Sequence, residues 1–175
     1  MKALPKNTEA EASLLGCMLL NPDLIGEISH LIDGRHFTLM HHNILYQELV
    51  DHYDNGKDID SVVLSDALSR RQDFTEADSS DFLTGIMDTV VSSANYQSYL
   101  QIVRDKYLVR SLIDVNNNIL EDCYGDYGDA EELLDRSEQL IFEIAKSRET
   151  HEGKPIGELL KEACSALNPA RATDC

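Results

Sequence analysis

The chain has 175 residues, of which 42% are hydrophobic, with four prolines, nine glycines and no tryptophan. That is enough apolar material for one packed domain, and so few chain-breaking residues favour helices over a fold with many strands and turns. The formal net charge is −17, from 15 basic and 32 acidic side chains, so the surface repels phosphate and direct nucleic-acid binding is disfavoured.

The first half of the chain predicts a small globular head built from short helices. Thr8 and Glu11 have the spacing of a capping box, and apolar residues follow at helical spacing, which predicts a first helix from about Thr8 to Leu20. Pro22 suits the first turn of a second helix, which carries Leu24, Ile25 and Ile28.

The rest of the head continues this pattern of short helices. A stripe of apolar residues predicts a helix from His41 to Tyr53, closed by Asn55-Gly56 as a C-cap. Asp60 or Ser61 is the predicted cap of the next helix. The polar segment 72–80 is predicted to be a loop, followed by a short helix with Phe82, Leu83, Ile86 and Met87.

The last third of the chain predicts two long helices. The first is capped by Asn95 and runs to about Tyr124, and the second runs from about Asp129 to Arg148. Both are heptad-like, and only the segment 125–128 separates them, so they predict an antiparallel αα-hairpin.

The hairpin has a predicted seam and a separate predicted interface. With the turn centred between Asp126 and Tyr127, residues whose numbers sum to about 253 lie opposite each other, so Asn116 faces Ser137. The predicted seam consists of Val109, Ile113, Asn116, Leu120, Leu133, Ser137, Leu140 and Ile144. The candidate dimer interface, off that seam, consists of Leu108, Val115 and Phe142.

A short amphipathic helix is predicted after the hairpin. It begins at Pro155, and it is too small to fold alone, so it needs a partner surface. The candidate docking residues of this linker helix are Ile156, Leu159, Leu160 and Ala163.

No catalytic, cofactor-binding or metal-binding residue is predicted. The two Gly-Lys pairs, at Gly56 and Gly153, lack the Ser or Thr and the preceding glycine of a P-loop. The adjacent histidines His41 and His42 point about 100° apart on a helix, which disfavours a shared metal ion. The carboxylates at the hairpin tip do not have the spacing of an EF-hand.

The cysteine pattern and the lack of long apolar runs predict a cytoplasmic protein. The four cysteines, none in C-x-x-C spacing, are predicted to be reduced, with Cys17 and Cys123 on apolar helix faces. The N-terminus lacks the apolar stretch of a signal peptide, and no apolar run reaches membrane-spanning length.

An ordered set of motifs resembles the N-terminal domain of DnaB-type replicative DNA helicases. The stretch from Pro5 to Gly16, with Glu9-Ala10-Glu11 and Leu15-Gly16, resembles the acidic-alanine-acidic opening of the family that leads to Leu-Gly. Further along, similar motifs occur in the family's order: Phe37, His42-Asn43-Ile44-Leu45-Tyr46, Gly56-Lys57-Asp58-Ile59-Asp60, Ala94-Asn95-Tyr96, Arg110 to Ile113 and Leu133-Leu134-Asp135. One departure is Thr38, where the family usually has an aromatic residue.

The resemblance implies an all-α chain in three parts. These are a globular head over 1–92, the hairpin over 93–149 and a linker with a short helix over 150–175, with the motor domain absent. In the family, such domains pair into dimers, three dimers form a collar on a hexameric ring, and the collar docks primase and the helicase loader. ATP and Mg²⁺ are implied only for the missing motor domain.

Two other functional classes remain open from the sequence. One is a stand-alone adaptor or inhibitor that joins a helicase ring through this domain. The other is an enzyme whose site forms only on oligomerisation, which the lack of clustered catalytic residues disfavours.

Overall fold

Seven α-helices make up the part of the chain described by the computed structural model, which covers residues 3–71, 74, 76–125 and 128–150. Within those residues there is no strand, so the predicted all-α class is confirmed. Two short 3-10 turns, Gly34–His36 and Ser93–Asn95, precede α3 and α6. The helices are α1 Thr8–Leu20, α2 Asp23–Ser29, α3 Met40–Asp54, α4 Ser61–Ser69, α5 Glu76–Asp88, α6 Tyr96–Tyr124 and α7 Ala130–Thr150.

Helix α1 is the centre of the head. Nine consecutive residues, Ala10 to Met18, are buried, and the helix contacts α2, α3, α5 and α6. A helix that is buried on every face must be surrounded by other elements, in contrast to an amphipathic surface helix. This explains why even its polar residues Glu11 and Ser13 lie inside the protein.

The N-terminus of α1 differs from the sequence prediction. Asn7, rather than Thr8, is the N-cap, and its side-chain oxygen accepts a hydrogen bond from the amide of Ala10. Glu11 does not complete a capping box, because its carboxylate lies in the core between α1 and α3. The predicted capping box was therefore wrong, although the helix begins and ends where the sequence predicted.

The local signals in the middle of the head are confirmed, with one difference in length. Asp60 caps α4 by accepting from the amides of Val62 and Val63. Gly56 adopts a positive φ of 61° directly after α3, as a C-cap glycine does. Helix α5 begins at Glu76, so the segment predicted as a loop up to residue 80 is partly helical.

The part of the hairpin beyond Arg110 lies outside the core of the head. Leu100 and Val103 of α6 belong to that core, and Arg110 is the last buried residue of the helix. From residue 111 to 124, α6 would extend about 20 Å at 1.5 Å per residue, and no residue of that segment is buried. Among residues 130–146 of α7, every side chain is likewise half-buried or exposed. We call α6 from residue 111 onwards, together with α7, the arm.

Three further predictions concern particular residues. Asn95 stands at the N-cap of α6, but its side chain makes no capping hydrogen bond. Cys17 is buried as predicted, whereas Cys123 is exposed. The predicted linker helix from Pro155, with Ile156, Leu159, Leu160 and Ala163, lies outside the described residues. None of the described helices is long and apolar enough to cross a membrane.

Candidate protein-interaction surfaces

A buried carboxylate joins α1 to the start of α3. Oε2 of Glu11 lies 2.9 Å from Nδ1 of His42, and Oε1 accepts a hydrogen bond of 3.0 Å from the amide of Thr38. Burial raises the pKa of the Glu11 carboxyl, but the hydrogen bonds to His42 and Thr38 lower it more, and the net pKa is below its usual value. Both side chains are almost fully buried, so the pair positions two helices rather than presenting groups to solvent.

A second buried polar residue marks the base of the arm. The guanidinium of Arg110 donates to the carbonyl of Pro5 at 3.0 Å and to the carbonyl of His36 at 2.6 Å. It also lies over the ring of Tyr107, which in turn contacts the ring of His36 at a tilt of 31°, with 3.9 Å between centroids. Arg110 therefore ties the N-terminal segment and the first 3-10 turn to α6, where the arm begins.

The predicted seam residues fall into two groups by exposure. Ile113, Leu133, Ser137, Leu140 and Ile144 are half-buried. By contrast, Asn116 is exposed, Val109 keeps 43% of its surface accessible, and Leu120 keeps 52%. These three exposures do not fit a packed seam.

We propose a row displaced by one residue on α6 as the seam. Its half-buried positions recur at helical spacing and are Leu108, Ser111, Val115, Ile119 and Asp122. Near the hairpin tip, Asp122 forms an ion pair of 3.6 Å with Arg136 of α7. The side-chain amide of Asn116 donates to the carbonyl of Leu112, and the hydroxyl of Ser137 donates to the carbonyl of Leu133. Each therefore bonds within its own helix.

The predicted dimer-interface residues are likewise divided. Leu108 and Val115 are half-buried, and both belong to the row that we propose as the seam. Phe142 is 65% exposed, as are its neighbour Ile141 and, two turns before Ile141 on α7, Leu134. We call Leu134, Ile141 and Phe142 the α7 apolar patch.

A cluster of possible metal ligands occurs on α3, and the sequence reasoning did not identify it. Ligand atoms of Glu48, Asp51 and His52 lie within 4.8 Å of one another. Each group already has a partner: Arg71 binds Glu48, Lys57 lies 2.7 Å from Asp51, and Nδ1 of His52 donates to the carbonyl of Asp58 at 2.8 Å. The cluster thus fastens the end of α3 to the residues that follow it. The spacing of the three residues on one helix was visible in the sequence. Their pairing with Arg71 and Lys57 was not, because it depends on how the chain folds after α3.

Comparison with known proteins identifies the family. The model of the DnaB-like helicase N-terminal domain matches residues 3–105, which is more than half of the chain and includes all of the described head helices. The chain belongs to this family. The motifs quoted from Leu15-Gly16 to Tyr96 lie within the matched region, so the resemblance drawn from them is confirmed.

Relatives of known function are considerably longer than this chain. The replicative DNA helicase DnaB of Pasteurella multocida is 31% identical over 152 residues, covering 86% of this chain and 32% of that protein. The replicative DNA helicase DnaC of Bacillus subtilis is 30% identical over 156 residues, covering 89% of this chain and 34% of that protein. The chain thus spans about a third of the length of these helicases.

Two solved structures share the fold. The N-terminal domain of DnaB helicase from Mycobacterium tuberculosis matches with a TM-score of 0.73 and 28% identity, covering 81% of this chain and 99% of that one. A DnaB-like replicative helicase, described with its interactions with primase, matches with a TM-score of 0.64 at 19% identity, covering 91% of this chain and 35% of that one. The second match shows the common fold alone.

Proposed function

We propose that this chain is a non-catalytic collar domain of a hexameric replicative DNA helicase in the cytoplasm. In this role the arm pairs two subunits, three such pairs assemble the ring, and the collar receives primase or the helicase loader. Family membership supports this proposal, as does the near-complete coverage of the tuberculosis N-terminal domain. The observation that carries it is the arm, in which α6 and α7 contact each other, no residue of 111–124 or 130–146 is buried, and large apolar side chains are exposed.

The α7 apolar patch supplies the reason for pairing. Exposed aromatic and branched aliphatic side chains are unfavourable in water, and covering them with a partner surface lowers the free energy of the protein in water. A second copy of the arm offers the same patch, so a two-fold axis lets each patch cover the other. The proposed interface therefore retains Phe142 from the sequence prediction and replaces Leu108 and Val115 with Leu134 and Ile141.

Chemistry and nucleotide binding belong, in this proposal, to the motor domain that the family carries beyond this region. ATP and Mg²⁺ would bind there, and the linker residues Ile156, Leu159, Leu160 and Ala163 would dock on a neighbouring subunit. The net charge of −17 supports a role in protein contacts rather than direct contact with DNA.

Replacing Phe142 with glutamate tests the pairing. Phe142→Glu places a charge in the proposed interface, so we expect the dimer to dissociate at least about tenfold more readily, because burying an unpaired charge is costly. Sedimentation equilibrium measures the dissociation constant, and circular dichroism checks that helix content is retained.

The matched control is Val91→Glu, because Val91 is fully exposed on the head and far along the chain from the arm. It should leave the dimer unchanged. Equal dissociation of both variants would mean that added charge alone weakens pairing, and unfolding of Phe142→Glu would mean that Phe142 packs within its own chain. Either result contradicts the proposed interface.

A further inference from the structure

Arg110 occupies the last buried position of α6, directly before the arm begins. The buried residue that precedes it on the helix is Val103, which lies seven residues earlier, or about 10 Å at 1.5 Å per residue. Leu100 and Val103 fix the first turns of α6 in the core of the head. Beyond Arg110, no residue of 111–124 is buried. Arg110 is therefore the outermost buried contact between the head and the arm.

The side chain of Arg110 joins two segments that are far apart in the sequence. Nη1 donates to the carbonyl of Pro5, in the segment before α1, at 3.0 Å. Nη2 donates to the carbonyl of His36, in the 3-10 turn before α3, at 2.6 Å. A guanidinium presents its N–H groups in a rigid planar fork, so two bonds to two carbonyls restrict the orientation of the side chain and of the helix that carries it.

The turn that holds the His36 carbonyl is itself fixed in place. Nδ1 of His36 accepts a hydrogen bond of 3.1 Å from the amide of Asp33, within the capping box of this turn. The ring of His36 also contacts the ring of Tyr107, which lies three residues before Arg110 and on the same side of α6. Tyr107 and Arg110 thus bind the same turn, and that turn supports the base of the arm.

A small change of direction at Arg110 produces a large displacement near the tip of the arm. Asp122 lies twelve residues beyond Arg110, about 18 Å along α6, and pairs with Arg136 of α7. Leu134 of the α7 apolar patch precedes Arg136 by two residues. A tilt of about 10° at Arg110 would move this part of the arm by about 3 Å, which is enough to separate side chains that touch across an interface.

We propose that Arg110 is a positioning residue for pairing, which fixes the direction of the arm so that the α7 apolar patches of two chains meet. This inference rests on the proposed function, in which the arm pairs two subunits, and it adds a residue that controls pairing without lying in the interface. An arm that is held in one direction loses little freedom when it pairs. An arm that is loosely held must be ordered on binding, and this weakens the dimer.

Arg110→Ala tests this role in the full chain. We expect its dimer dissociation constant, measured by sedimentation equilibrium, to rise at least about fivefold. Arg110→Lys should raise it less, because an ammonium group keeps a donor but lacks the fork. The controls are Arg104→Ala, which removes the same charge from α6, and Gly16→Ala, which crowds the contact of α1 with α5. Both should change the dissociation constant less than about twofold.

A distance measurement reports the direction of the arm independently of pairing. Spin labels are placed on Cys123, which is exposed on the arm, and on Val91→Cys, a fully exposed position on the head. Cys164 and Cys175 are replaced by serine, and labelled chains are diluted with unlabelled ones so that distances within one chain are measured. Pulsed electron resonance should give a broader distance distribution for Arg110→Ala than for the unaltered chain, and Gly16→Ala should leave its width unchanged.

The outcomes separate this inference from the proposed function. Equal pairing by Arg110→Ala, or an unchanged width of its distance distribution, overturns the inference and leaves the collar function standing. Equal weakening by either control also overturns it, because loss of charge or of stability would then be the cause. If the unaltered chain does not pair, both the pairing and the inference are overturned. If Arg110→Ala does not fold, Arg110→Lys is judged by the same comparisons.

Discussion

Glu11 joins the first and third helices through one buried carboxylate. Replacing it with alanine leaves the amide of Thr38 and the ring of His42 without their acceptor inside the core. Loss of one partner from a buried pair costs about 3 kcal/mol, so Glu11→Ala should lower the free energy of unfolding by that amount. Urea denaturation followed by circular dichroism gives the value.

The neighbouring Glu9 provides the control for this prediction. It lies in the same first turn of α1 but is exposed, so Glu9→Ala should change the stability by less than about 0.5 kcal/mol. Similar losses for the two variants would show that the carboxylate acts through the helix terminus and not through His42 and Thr38.

Asp33 makes stability depend on pH in the acid range. Burial raises the pKa of its carboxyl, but hydrogen bonds from Arg35 and His36 outweigh burial and hold the pKa at about 2. A carboxyl whose pKa is lower in the folded state stabilises the fold above its unfolded pKa, and this contribution disappears as pH falls through the folded value. Stability should therefore decline from about pH 4 to about pH 2.

Asp33→Asn removes this titration. Because Asp33 is partly exposed, the effect is modest, and the variant's free energy of unfolding should fall less steeply between about pH 4 and pH 2 than that of the unaltered chain. Exchanging the exposed Asp114 for asparagine serves as the control. An unchanged slope in Asp33→Asn would contradict the assignment.

At the scale of elements, Gly16 decides how closely α1 and α5 approach. A Cβ at this position would lie 2.6 Å from Cγ2 of Val90 and 2.9 Å from the carbonyl oxygen of Ile86. Gly16→Ala must push the two helices apart, which should cost about 1–3 kcal/mol. Thermal unfolding would detect the loss as a lower midpoint.

Gly85 gives a control for which the expected change in stability has the opposite sign. It lies within α5, and a Cβ added there has no neighbour within 4 Å among the described residues. Gly85→Ala should therefore stabilise the protein by about 0.5–1 kcal/mol, because alanine favours the helix over the unfolded chain. Destabilisation by both variants would mean that helix packing at Gly16 is not the cause.

The helices could be predicted from the sequence because their signals are local. Asp60 and Gly56 act at the ends of their own helices, and the apolar spacing of α3 and α6 is set within a few turns. Glu11 could not be assigned in this way, because its partner His42 is 31 residues away and the capping-box spacing offered a local alternative. The spacing favoured a local capping box, but in the structure the Glu11 carboxylate contacts His42 across the core.

The arm is a second case in which helical spacing in the sequence does not determine the packing. On α6, the row with Leu108, Val115 and Ile119 and the row with Val109 and Leu120 are both apolar and differ by one residue. Spacing alone cannot decide which row faces α7 and which faces outward, since both have helical period. The burial pattern distinguishes them, and we propose that the first row forms the seam.

At the scale of the whole molecule, the packed head provides the stable core, and the exposed arm provides the proposed interface. Glu11, Arg110 and Gly16 hold the head and the base of α6 together through buried contacts. The arm presents apolar side chains that a single chain leaves uncovered, and the chain spans about a third of the length of the helicases it is similar to. Dimerisation through the arm is thus the central claim.

The molecular mass of the unaltered chain in solution tests that claim most directly. Sedimentation velocity over a range from about 1 to 100 µM should give twice the mass of one chain at the upper end, with dissociation on dilution. In the same experiment, Phe142→Glu should require at least about tenfold higher concentration to reach the same fraction of dimer. A single-chain mass for the unaltered protein at every concentration would contradict the account.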